Sequence, residues 1–206
     1  MKENEVYAEL SSIRSLMERS AKFISLSGLS GIMAGIYALG GAWAGYRLVY
    51  DNSGSLQYRS QYVNNPNVLW QLFFIAVVVL LLSIVTCIWL TVRQARKKGE
   101  NVWNPVSKRL LTNLCIPLVT GGLFIFIAIL HQNYGIISSA CLIFYGLALI
   151  SGSHYTFSDI KWLGLCEVAL GLLAALLPGY GIVFWVAGFG ILHIVYGLVM
   201  HFKYKQ

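Results

Sequence analysis

Charge is scarce in this chain: 11% of its 206 residues are Asp, Glu, Lys or Arg, against 57% that are hydrophobic. So little polar surface cannot clothe a soluble globule of this size, and that class is excluded. Cysteine is sparse too, and Cys87, Cys115, Cys141 and Cys166 form no Cys-x-x-Cys pair and have no histidine at ligand spacing. They read as small packing residues rather than as a redox or metal motif. There is no Gly-rich phosphate loop, nucleophile elbow or His-Glu-x-x-His pattern. An enzyme of a familiar class is therefore not expected, nor is a cofactor. The first 20 residues are charged and carry no leading apolar segment, so the first span is expected to act as an uncleaved insertion signal.

What the chain does have is length of apolar sequence. Six runs, near 26–46, 68–92, 109–131, 134–151, 160–177 and 181–202, are long enough to cross about 30 Å of hydrocarbon. The expected fold is all-α: a single membrane domain of six transmembrane helices in a lipid bilayer. With the N-terminus inside, 13 of the 15 Lys and Arg fall on the cytoplasmic side, only Arg47 and Arg59 lying outside. That asymmetry predicts both termini cytoplasmic, and it accounts for the net charge of +7 without a nucleic-acid partner. Residues 4–23 place Val6, Leu10, Ile13, Met17 and Ala21 at helical spacing, which predicts an amphipathic cytoplasmic helix. Its glutamates Glu5, Glu9 and Glu18, with Glu3 just before it, favour packing against protein over lying on a membrane surface.

Local signals refine the picture. Ser27, Gly31, Gly35 and Ala38 form a small-residue stripe on the first span, suited to close packing inside the monomer or to a homodimer face. Residues 51–67 form the one long outer loop. The second span has no glycine and is apolar nearly all round, which predicts a lipid-facing position; it ends on Arg93, Arg96, Lys97 and Lys98, where the helix dipole and anionic headgroups favour cations. Asn104-Pro105 reads as an N-cap followed by a first-turn proline. Pro117 is a candidate kink. Before the fifth span, Thr156 or Ser158 is the expected N-cap, with Asp159 in the first turn.

The candidate site lies in the last hairpin. Leu177-Pro178-Gly179-Tyr180 supplies the fixed φ and the positive-φ residue of a type II turn. From Ile160 to Glu167 is roughly 10 Å of helix, and from Phe202 back to His193 roughly 14 Å, so the two ionisable groups lie at similar depth. An ionisable side chain in hydrocarbon is a site hypothesis by default. Gly164, Glu167, Gly171 and Ala174 share one face of the fifth span, and Gly190, His193, Gly197 and His201 a matching face of the sixth. The two faces are expected to pack on each other and bring Glu167 into contact with His193, with Tyr145, Tyr196 and His201 as accessory polar groups. On that arrangement Glu167→Leu strands the imidazole, at a cost of about 1 to 3 kcal/mol. His193 and His201 are roughly 12 Å apart along the axis, too far to share a metal ion.

The segments YTFSDIKWLGLCEVALGLL, GFGILHIVYGLVM and MERSAKFISLSGLSGIMAG resemble a group of small six-span bacterial membrane proteins with no assigned function. The resemblance covers most of the chain and implies a bacterial cytoplasmic membrane; it supplies no substrate, cofactor or catalytic residue. Two functional classes follow from the residues. The first is a membrane-embedded partner or regulatory subunit that binds another membrane protein or a second copy of itself. The alternative is a small permease or proton-coupled carrier built around Glu167 and His193. A lone polar pair and short outer turns favour the first.

Overall fold

The computed structural model describes residues 27–50, 66–97, 99 and 101–204. The expected amphipathic helix at 4–23 and all but the last two residues of the outer loop lie outside them. The described residues form α1 (Gly28–Tyr50), α2 (Pro66–Lys97), α3 (Pro105–Leu130), α4 (Ile137–Gly152), α5 (Ile160–Leu176) and α6 (Gly181–Lys203), with no strand among them. Short 3-10 turns, Tyr134–Ile136 and Ser153–Tyr155, flank α4. Four of the helical segments, those holding α2, α3, α4 and α6, are long and apolar enough to cross a membrane. Glycines dilute the apolar content of α1, and α5 has only 17 residues.

The helix ends follow from local chemistry. Asn104 caps α3 reciprocally: its side chain accepts from Ser107 N at 2.8 Å, and its own N–H donates to Ser107 Oγ at 3.0 Å. Pro105, whose missing N–H costs nothing there, is the first residue of the helix. At the other end Gln132 adopts φ 56°, and the N–H groups of Gln132 and Asn133 bond Ile129 O and Ala128 O at 3.0 and 2.8 Å. This is a Schellman ending with glutamine in the left-handed position. Between these caps α3 runs unbroken through Pro117. The turn after α5 closes through Tyr180 N–H to Leu177 O at 3.3 Å, with Gly179 at φ 103°, as a type II turn requires.

The helices pack as two units of three. In one, α6 and α2 lie against α1; in the other, α3 and α5 lie against α4. Glycine decides both arrangements. A Cβ on Gly197 of α6 would lie 2.7 Å from Gly28 O of α1, and one on Gly28 would lie 2.7 Å from Gly197 O. The same reciprocity joins Gly146 of α4 to Gly164 of α5, at 2.6 and 2.7 Å. Lipid tails are as apolar as leucine, so such backbone-to-backbone packing, and not apolar burial, holds the helices together. Glycine-free α2 touches only one neighbour extensively and leaves Trp70, Phe73, Phe74 and Trp89 exposed.

One end of the seam between the units is held by polar contacts that differ from the expected cap. Asp159 makes no capping bond to α5; its carboxylate accepts from Lys203 Nζ at 2.7 Å and from the Tyr204 hydroxyl at 2.8 Å. The N-cap residue of α5 is Asp159 itself, in helical conformation, in place of the expected Thr156 or Ser158. The Lys203 hydrogen bond, helped by Tyr204, holds the Asp159 carboxyl below its ordinary range. A lowered folded value means that the clasp contributes above the unfolded carboxyl value of about 3.9 and is lost as pH falls through the lower folded value. Asp159→Asn should therefore lower the unfolding temperature at neutral pH by no more than about 2 °C, as for a mostly exposed pair. In unfolding scans the gap should close as pH falls below the ordinary carboxyl range; a gap that persists there would mean that charge is not what holds the clasp.

Candidate functional site

At the middle of the seam a carboxyl, an imidazole and a phenol meet. Glu167 lies between Gly164 and Gly171, whose contacts press α5 onto α4, so its side chain is drawn to the same face and is fully buried (0% exposed). Opposite it, α6 changes from α-helix to π-helix over Val186–Leu192 before resuming α-geometry at His193. Such widened turns occur mostly as isolated bulges and frequently at functional sites. Within the bulge, a Cβ on Gly188 would lie 2.5 Å from Glu167 Oε2 and 2.6 Å from Leu142 Cδ2. A side chain there would make the Glu167 carboxyl and the Leu142 side chain shift.

His193 is the hub. Its Nδ1 lies 3.0 Å from Gly188 O and 3.3 Å from Glu167 Oε1, and its Nε2 lies 2.7 Å from the Tyr145 hydroxyl. A proton on Nδ1 is aligned on Gly188 O, so the approach to Glu167 is a close contact and not a formed hydrogen bond. Consequently neither oxygen of Glu167 has a hydrogen-bond partner among the described residues. Phe189 covers the imidazole and the phenol, with ring centroids 6.0 and 5.2 Å away. Tyr145 thus joins the site directly.

The other expected residues go elsewhere. The small-residue faces of α5 and α6 do not pack on each other: Gly164 and Gly171 meet α4, while Gly190 and Gly197 meet α1. Glu167 meets His193 beside the bulge, where Gly188 lies against the carboxyl. Tyr196 belongs to an apolar cluster with Phe157, Ile160 and Met200 near the Asp159 clasp, and its buried hydroxyl has no partner among the described residues. His201 packs its ring edge on Phe202, and its backbone lies against Gly28. The stripe on α1 is occupied within the chain: Gly31 faces Gly197 and the His193 carbonyl, Gly35 faces Gly190 O and Ile194, and Ser27 and Ala38 are buried. Sequence reasoning missed Gly188 and the bulge; its only signal was Gly188-Phe189-Gly190 ahead of the histidine, which spacing alone reads as a packing surface.

Among the described residues no group of three His, Cys, Asp or Glu side chains could hold a metal ion. An apolar groove of about 320 Å³ lies between α1 and α6, lined by Leu39, Trp43, Tyr46 and Ile182 among others, and a groove of about 470 Å³ lies on α2 beside Trp89, Arg93 and Arg96. Neither includes Glu167. Comparison of the chain with protein-family models, with curated proteins and with solved structures finds no match.

Proposed function

We propose that the chain crosses a bacterial cytoplasmic membrane six times, with both termini cytoplasmic, and acts as a small proton-coupled permease or carrier whose proton-binding group is Glu167. One observation carries the reading: a fully buried carboxyl with no donor on either oxygen among the described residues, 3.3 Å from an imidazole. A carboxyl kept only to fix helix register would be expected to have its hydrogen bonds made, because an unsatisfied buried acceptor destabilises the fold. An intramembrane carboxyl that binds and releases a proton accounts for the exception. For six spans, the 23 residues of α1 and the 17 of α5 are helices of about 34 and 25 Å at 1.5 Å per residue. The bond from Lys203 to Asp159 joins the start of α5 to the end of α6, which supports an even number of crossings between them.

The second reading, a membrane-embedded partner or regulatory subunit, draws support from the enclosure of the cluster, since neither groove reaches it. Proton flux in reconstituted lipid vesicles under an imposed pH gradient separates the two. The carrier reading expects flux above that of empty vesicles, reduced at least about tenfold in Glu167→Gln with thermal unfolding nearly unchanged. Wild-type protein that carries no flux would reject it and leave the partner role.

A further inference from the structure

His193 has its two ring nitrogens committed to different neighbours, and the neighbours change their requirements when Glu167 gains a proton. We infer that protonation of Glu167 switches His193 between its two neutral tautomers, and that the switch breaks the hydrogen bond between the ring and the Gly188 carbonyl in the π-bulge. The inference rests on the proton-binding reading of Glu167 and adds what that proton does to the seam.

An ionised carboxylate only accepts hydrogen bonds, so while Glu167 is charged Nδ1 carries the ring proton, directed at Gly188 O at 3.0 Å with Oε1 at 3.3 Å. Nε2 then accepts from the Tyr145 hydroxyl at 2.7 Å. A proton arriving from the Tyr145 side forms an N–H bond at Nε2; the Nδ1–H bond breaks as its proton passes to Glu167 Oε1, forming an O–H bond. One proton has entered, the imidazole is neutral again, and Tyr145 has turned from donor to acceptor. Protonated Glu167 now donates to the bare Nδ1, and Gly188 O has lost its ring donor. Gly188 and His193 belong to α6, while Glu167 and Tyr145 belong to α5 and α4, so the exchange alters the contacts between the two helical units.

Few other titratable groups bear on the cluster. From α4 it faces Tyr145, with half-buried Cys141 one turn earlier; from α2, Cys87 lies close enough to Tyr145 to interact electrostatically. At His193, α1 presents Gly31.

Nitrogen-15 NMR of histidine-labelled protein in lipid vesicles tests this, with the His193 signals assigned by their loss in His193→Asn. Lowering the pH from about 9 to about 4 should convert His193 from the Nδ1–H to the Nε2–H form without accumulation of the doubly protonated ring. Glu167→Gln should hold one tautomer throughout. A His193 that becomes imidazolium, that keeps one tautomer in the wild type, or that switches unchanged in Glu167→Gln overturns the inference. Should that variant not fold, Glu167→Asp keeps the carboxyl and draws it back from Nδ1; the midpoint should move, and an unmoved midpoint also overturns it. A tautomer switch in vesicles that carry no proton flux would retire the carrier reading alone, and flux with a fixed tautomer would do the reverse.

Discussion

Gly197→Ala is expected to cost about 3 kcal/mol, the upper end of what an overpacked methyl costs in a core. The new Cβ would lie 2.6 Å from Ile32 N and 2.7 Å from Gly28 O, and these are backbone atoms of α1 that no rotamer change can move aside. The helices must separate or slide, and nothing in hydrocarbon compensates for the lost contact. Gly40→Ala and Gly122→Ala are the controls. An added Cβ meets nothing within 4 Å at either position, so each should be neutral or stabilise its helix by up to about 1 kcal/mol through propensity. Thermal unfolding in one detergent compares all three. If Gly197→Ala unfolds with Gly40→Ala, α1 and α6 are not the close pair described. The same contacts bear on the stripe at Ser27, Gly31, Gly35 and Ala38: α6 already occupies it, so a homodimer through that face would have to displace a helix of the same chain.

The second large effect is an asymmetry between two residues in contact. Glu167→Leu should leave stability unchanged or raise it by about 1 to 2 kcal/mol, whereas His193→Leu should cost about 1 to 3 kcal/mol. The reason is which partners each group serves. His193 satisfies both Gly188 O and the Tyr145 hydroxyl, and its removal strands two buried polar groups. Glu167 satisfies neither of its own oxygens, and a leucine of similar size relieves that deficit against Leu142 and Gly188. Considered as a simple pair, Glu167→Leu would strand the imidazole; the phenol of Tyr145 and the carbonyl of Gly188 remove that penalty. Chemical unfolding of both variants beside wild type measures the difference. A Glu167→Leu protein less stable than His193→Leu would mean that the carboxyl is hydrogen-bonded after all, and the proton-binding proposal would lose its basis.

Much of this was legible in the residues because it is local. Apolar runs separated by polar breaks define helices of spanning length, Asn104-Pro105 defines a start, and Pro178-Gly179 defines a reversal, since each depends on backbone preferences within a few positions. The approach of Glu167 to His193 was legible as well, from helical rise measured in from Ile160 and from Phe202. What the tertiary structure alone decided is which glycine face meets which. A row of small residues permits a helix to come close but does not identify that helix, because in a bilayer all apolar partners are energetically similar and only the fit of particular side chains selects one. Thus α5 took α4 and α6 took α1, in place of the pairing of α5 with α6 that adjacency suggested. The π-bulge belongs with them: it is set by where Gly188 must lie beside a carboxyl from another helix, a requirement that does not exist until that helix is in place.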